Sequence, residues 1–229
     1  MRLTTRITCL IATLLLGFPV MAAAIPAITC HCFKERAFDP ARPSLADPYF
    51  LATSQNSFFA AVFAIDKKGL VMKKQQGASA DDLWIAYWLA GKGAAASAEA
   101  VLQVRQRKGS WQETVASLGT ADKTLGPRFA ASLQSRASAE NLAENIVDEL
   151  LVKYRLSSEA EVATLRKSGS TNQELILAAL IAARTRQPAI RLFREVKSGA
   201  KSWGALLDTA KISPASMQQE FATLINRSR

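Results

Sequence analysis

An all-α fold, built as a compact bundle or short solenoid of repeated helix pairs, is what this 229-residue sequence predicts. Three observations carry that prediction. Between Asp47 and Arg229 apolar residues recur three and four positions apart, with no sustained period-two run rich in Val, Ile and Thr. Helix-start signals are dense. Asp47-Pro48 and Ser213-Pro214 set a capping side chain before a proline, while Ser79-x-x-Asp82, Ser110-x-x-Glu113 and Thr171-x-x-Glu174 have the spacing of a reciprocal cap. Third, Gly77, Gly109, Gly169 and Gly199 each follow a helix-like stretch ending in positive charge and precede a Ser or Thr and another helix. Glycine accepts the left-handed conformation that closes a helix, and cations complement the negative end of the helix dipole. The unit is helix, glycine stop, capped helix, about ten to twelve short helices in all.

In chain order, residues 1–24 have the form of a secretory signal peptide: Arg2 and Arg6, an apolar run from Ile7 to Phe18, then Ala22-Ala23-Ala24. The run is shorter than the roughly 20 residues that span a bilayer. Cleavage and export, to the periplasm or outside, are therefore expected, with a retained N-terminal anchor as the alternative. No later segment is long and apolar enough to span. Losing Arg2 and Arg6 takes the formal net charge from +10 to +8. Residues 25–47 follow as an irregular strap, with Phe33 and Phe38 expected as buried anchors.

Two helical halves come next, residues 48–135 and 136–229. In the first, Leu83, Ile85, Ala86, Leu89 and Ala90 form an apolar helix face; in the second, Leu142, Ile146, Leu150 and Val152 form one, and Leu175, Leu177, Ala178 and Ile181 another. An offset of 92 overlays the halves: Asp82-Leu83-Trp84-Ile85-Ala86 falls on Glu174-Leu175-Ile176-Leu177-Ala178, Ser110-Trp111 on Ser202-Trp203, Leu125 on Met217 and Phe129 on Phe221. Units of about 30 residues are the size at which neighbours must stack to cover one another's apolar faces.

Composition narrows the function classes. With 49% hydrophobic and 21% charged residues the chain is not of the disordered class, and one His with three Cys excludes most zinc-finger and His-based catalytic layouts. There is no phosphate-cradling glycine loop, no His-Glu-x-x-His and no Gly-x-Ser-x-Gly. Glu140, Glu144, Asp148 and Glu149 read as the solvated acidic face of one helix, and a carboxylate-based hydrolase would need two acids facing across a cleft. The cations cluster where helices end, which together with export argues against nucleic acid and for an anionic envelope surface or an envelope protein as partner.

One cluster and one set of aromatic residues are the site candidates. Cys30-His31-Cys32 combines thiolates and an imidazole, soft ligands suited to Cu(I), or to zinc if further ligands join. Its alternatives are a tight Cys30–Cys32 disulfide that pins the N-terminus, a disulfide that instead links two chains, and a strained, reducible bridge serving thiol exchange. Trp84, Tyr87, Trp88, Trp111 and Trp203 are partner-binding candidates, either as an aromatic groove or, more plainly, as core packing.

The Gly-Ser-Trp pattern followed by Val115 and Leu118-Gly119, and the opening Cys30-His31-Cys32-Phe33 with Asp47-Pro48-Tyr49-Phe50-Leu51-Ala52-Thr53, resemble a set of uncharacterised exported bacterial proteins. That resemblance implies a secreted all-helical fold and brings no activity or functional residue with it. Ser170-Thr171-Asn172 departs from the pattern by lacking the tryptophan. The expectation is an exported, non-enzymatic helical-repeat protein that binds or scaffolds an envelope partner and needs no cofactor. The alternative is a soft-metal or thiol-redox protein using Cys30, His31 and Cys32.

Overall fold

The computed structural model describes residues 33–228, among which there are 13 helices and no strand. They are α1 (Asp47–Phe63), α2 (Lys67–Gln75), α3 (Ala80–Gly91), α4 (Ala98–Lys108), α5 (Trp111–Leu118), α6 (Asp122–Leu125), α7 (Pro127–Gln134), α8 (Ala139–Lys153), α9 (Glu159–Lys167), α10 (Asn172–Thr185), α11 (Ala189–Lys197), α12 (Trp203–Ala210) and α13 (Met217–Arg227). The number exceeds the ten to twelve expected. The chain between Gly119 and Gln134 breaks into two short helices at Gly126, whose φ of +91° no α-helix accommodates. None of the described helices is long and apolar enough to cross a membrane.

The local signals act largely as the sequence predicts. All four glycine stops take positive φ, between 75° and 96°. Thr171 and Glu174 form a complete capping box on α10, and Ser79 and Ser110 accept from the backbone N–H groups of Asp82 and Glu113. Two starts differ. Asp47 does not cap its own helix: its buried carboxylate accepts from the backbone N–H of Trp203 at 3.0 Å and of Gly204 at 2.8 Å, 156 and 157 residues away, and so caps α12. Ser213 and Ser216 hydrogen-bond each other in a turn, and α13 begins only at Met217.

The 92-residue offset is a property of the fold. It superposes α2 on α9 and α5 on α12 with identical bounds, starts α1 with α8, and starts α3 with α10. Leu83/Leu175, Ile85/Leu177, Trp111/Trp203, Leu125/Met217 and Phe129/Phe221 are buried in both copies. Packing obeys the same relation: α3 lies on α8, and its counterpart α10 lies on α1. The first helix of each sequence half therefore packs largely across the molecule, α1 against α10, α12 and α13, and α8 against α3 and α7. Phe58 of α1 joins the copies directly, with ring centroids 6.1 Å from Trp84 and 5.1 Å from Phe221. Fully burying one such side chain contributes roughly 1.5–3 kcal/mol, so this continuous core ties the copies together.

Residues 33–46 run over α1 and α12. Phe38 and Phe33 are half-buried rather than buried, because they sit on the outside of finished helices; Phe33 meets the Tyr49 ring edge-on at 5.8 Å. Gly204 lets Phe38 and Phe50 approach: a Cβ there would lie 2.8 Å and 2.9 Å from their rings.

Candidate functional site

The turn between α2 and α3 meets its copy between α9 and α10, and together they shape a polar cleft of about 780 Å³. Its lining comes in repeat-related pairs: Lys74 with Arg166, Gly77 with Gly169, Ser79 with Thr171, Asp81 with Gln173. Gln55 of α1 and Glu140 and Glu144 of α8 complete it. The local reason is the repeated glycine stop and hydroxyl cap, which turns the chain sharply and aims the N-termini of α3 and α10 at the same space. Gln173 donates to Gln55 at 3.0 Å, fixing the first turn of α10 to α1.

The two cations of the cleft have different surroundings. Arg166 donates through Nε and Nη2 to Asp148 Oδ1 at 3.0 and 2.8 Å, through Nη1 to the Ser170 carbonyl at 3.0 Å and to Glu144 at 3.4 Å, and through Nη2 to Asn172. Lys74 is buried and donates to Asn56 Oδ1 at 2.6 Å. Burial pushes its ammonium down to about 8, partly opposed by the charge of Asp81. Burial also raises Asp81, with the charges of Glu140 and Asp82 adding and Lys74 opposing. Glu144 is raised by burial too, against the pull of Arg166 and with Asp148, Glu140 and Asp81 adding.

The acidic face of α8 is thus not a solvated surface. Asp148 has an 8% exposed side chain held by Arg166 and approached by Arg128 at 3.7 Å, and Glu144 turns into the cleft; only Glu140 is freely exposed. Helical periodicity alone did not expose this, since the partner Arg166 lies on another helix. At the 92-residue offset Asp148 corresponds to Asn56 and Arg166 to Lys74.

Cys30, His31 and Cys32 lie outside the described residues, and with them the disulfide, Cu(I) and zinc readings. Among the described residues no group of three or more His, Cys, Asp or Glu is arranged to hold a metal ion. The aromatic candidates are placed in the core, away from the cleft. Trp84, Trp88, Trp111 and Trp203 are buried, and Tyr87 is half-buried against Phe59 and Phe63. Trp84 packs on Phe58, Phe59 and Phe63. Trp88 donates to the Leu125 carbonyl and Trp111 to Asp82 Oδ1, at 2.9 and 2.8 Å. Such large rings gain more from burial than from display; Trp88 and Trp111 also satisfy their N–H groups inside, whereas that of Trp84 is buried without a partner among the described residues.

Asp81 and Glu144 reach the cleft from different helices, so acids do share one hollow; the Thr171 hydroxyl in its lining donates to the Glu174 carboxylate at 3.0 Å within the cap of α10. The arrangement suits recognition of a polar ligand by charge and hydrogen bonding. No protein-family model, no curated protein and no solved structure matches the chain.

Proposed function

We propose that this is an exported, non-enzymatic helical-repeat protein that engages a component of the cell envelope through the polar cleft between the two repeated turns. The observation that carries the reading is that both copies of the repeat contribute equivalent residues to one concave, charged site. A concave lining with a few convergent polar groups is the usual form of a binding site. The excess of Lys and Arg over Asp and Glu, 29 against 19, favours approach to anionic envelope surfaces.

Site-specific photo-crosslinking tests it. A benzophenone side chain at Ser79 or Gln173, on the cleft, should trap one and the same envelope component at physiological salt. The same group at Lys123, exposed on α6, should not. Equal trapping from Lys123, or none from the cleft, would overturn the reading.

A further inference from the structure

The two copies of the repeat treat the cation at this position, half-buried Arg166 and buried Lys74, in opposite ways. In the second copy Arg166 is neutralised by Asp148 at 2.8 Å and Glu144 at 3.4 Å. At the 92-residue offset its place is taken by Lys74, and the places of the two carboxylates by Asn56 and Ala52. Lys74 is 6% exposed and donates to the neutral Asn56 amide. Among the described residues no carboxylate lies within ion-pair distance of it; Asp81 acts only from farther away. A buried ammonium stripped of its counter-charge is costly. Asn56 satisfies one of the three N–H donors of Lys74 but supplies no counter-charge.

We propose that Lys74 anchors the carboxylate of a zwitterionic ligand, an α-amino acid or short peptide, whose ammonium group is received by Asp81 and Glu140. The ligand carboxylate takes beside Lys74 the place that Asp148 takes beside Arg166. The inference rests on the cleft being the binding surface. The N-termini of α3 and α10 face the same space and favour a negative group there. A simple anion fits less well, because Asp81, Glu140 and Glu144 outnumber the cleft's two cations and Arg166 is already paired. A ligand with both charges satisfies Lys74 and the carboxylates together. The hydroxyl of Ser170, buried beside Arg166 without a partner among the described residues, offers a further hydrogen bond.

Calorimetric titration of the wild-type chain with alanine, lysine, glutamate, trialanine, acetate and methylamine is the test. At least one of the first four should bind saturably, and at least tenfold tighter than acetate or methylamine. Binding by trialanine but not by the free amino acids would identify a peptide as the ligand. The bound zwitterion should also slow reductive methylation of Lys74 severalfold, read by peptide mass spectrometry. Asn56→Asp supplies the missing carboxylate from within; it should cut affinity at least tenfold while leaving Tm unchanged or higher. If Asn56→Asp does not fold, Lys74→Met must show the same loss, and the methylation readout needs no variant. Absence of binding by all four zwitterions, equal binding of acetate, unchanged affinity in both variants, or unprotected Lys74 would each overturn the proposal. Cross-linking from the cleft stands or falls separately, so failure here is distinguishable from failure of the binding reading.

Discussion

Single residues in this molecule act over long stretches of sequence, and Asp47 is the clearest. Its carboxylate closes the N-terminus of α12 from the start of α1, and burial outweighs its two hydrogen bonds in raising its pKa. Asp47→Ala leaves two backbone donors unsatisfied and is expected to cost about 2 kcal/mol, measured by urea unfolding. Asp47→Asn, which keeps an acceptor oxygen, should cost less. Lys74 makes a second residue-scale prediction, of pH dependence. Its folded value of about 8 lies below the ordinary 10.5, so between these values the unfolded chain binds more protons than the folded one. Stability contributed by this site therefore rises with pH from about 8 to 10.5, by up to about 3 kcal/mol. Lys74→Met should remove that rise, seen by comparing Tm of both proteins at pH 7 and pH 10.

At the scale of elements, the starts and stops of helices were legible in the sequence because they are local chemistry. The Thr171–Glu174 box and the glycine stops each involve a handful of neighbouring residues. The repeat offset was legible for the same reason: it is a comparison of local patterns. What periodicity does not contain is which faces meet. Asp47-Pro48 reads as a cap for the helix that follows, and Asp148 as a surface acid, until α12 and α9 are brought beside them. The cleft was hidden likewise, since its walls come from turns separated by the full repeat. The strap over α12 offers a test of one such meeting. Gly204→Ala places a methyl group into the rings of Phe38 and Phe50, and Phe38, half-buried on the strap, is the one able to move. The variant should lose about 1–3 kcal/mol, and limited proteolysis should cut residues 33–46 faster than in wild type.

For the molecule as a whole, the repeat and the packing divide the chain differently. By sequence α1 opens the first half; by contact it completes the second, as α8 completes the first. In the first copy four residues, 135–138, link α7 to α8, so the equivalence sets the end of α13 near the start of α1. A circular permutant that opens at residues 64–66 and joins residue 228 to residue 47 through about four residues is expected to fold with a cooperative helical melt by circular dichroism. The fragment 48–135 alone, deprived of α10 and α13, should not. The clasp between Asp47 and α12 also orders events in time. On a growing polypeptide α1, the first of the described helices, emerges without the surface it is shaped for, and closing so large a loop slows folding. Asp47 can close the N-terminus of α12 only once residue 204 has been made, so this corner of the molecule is completed late.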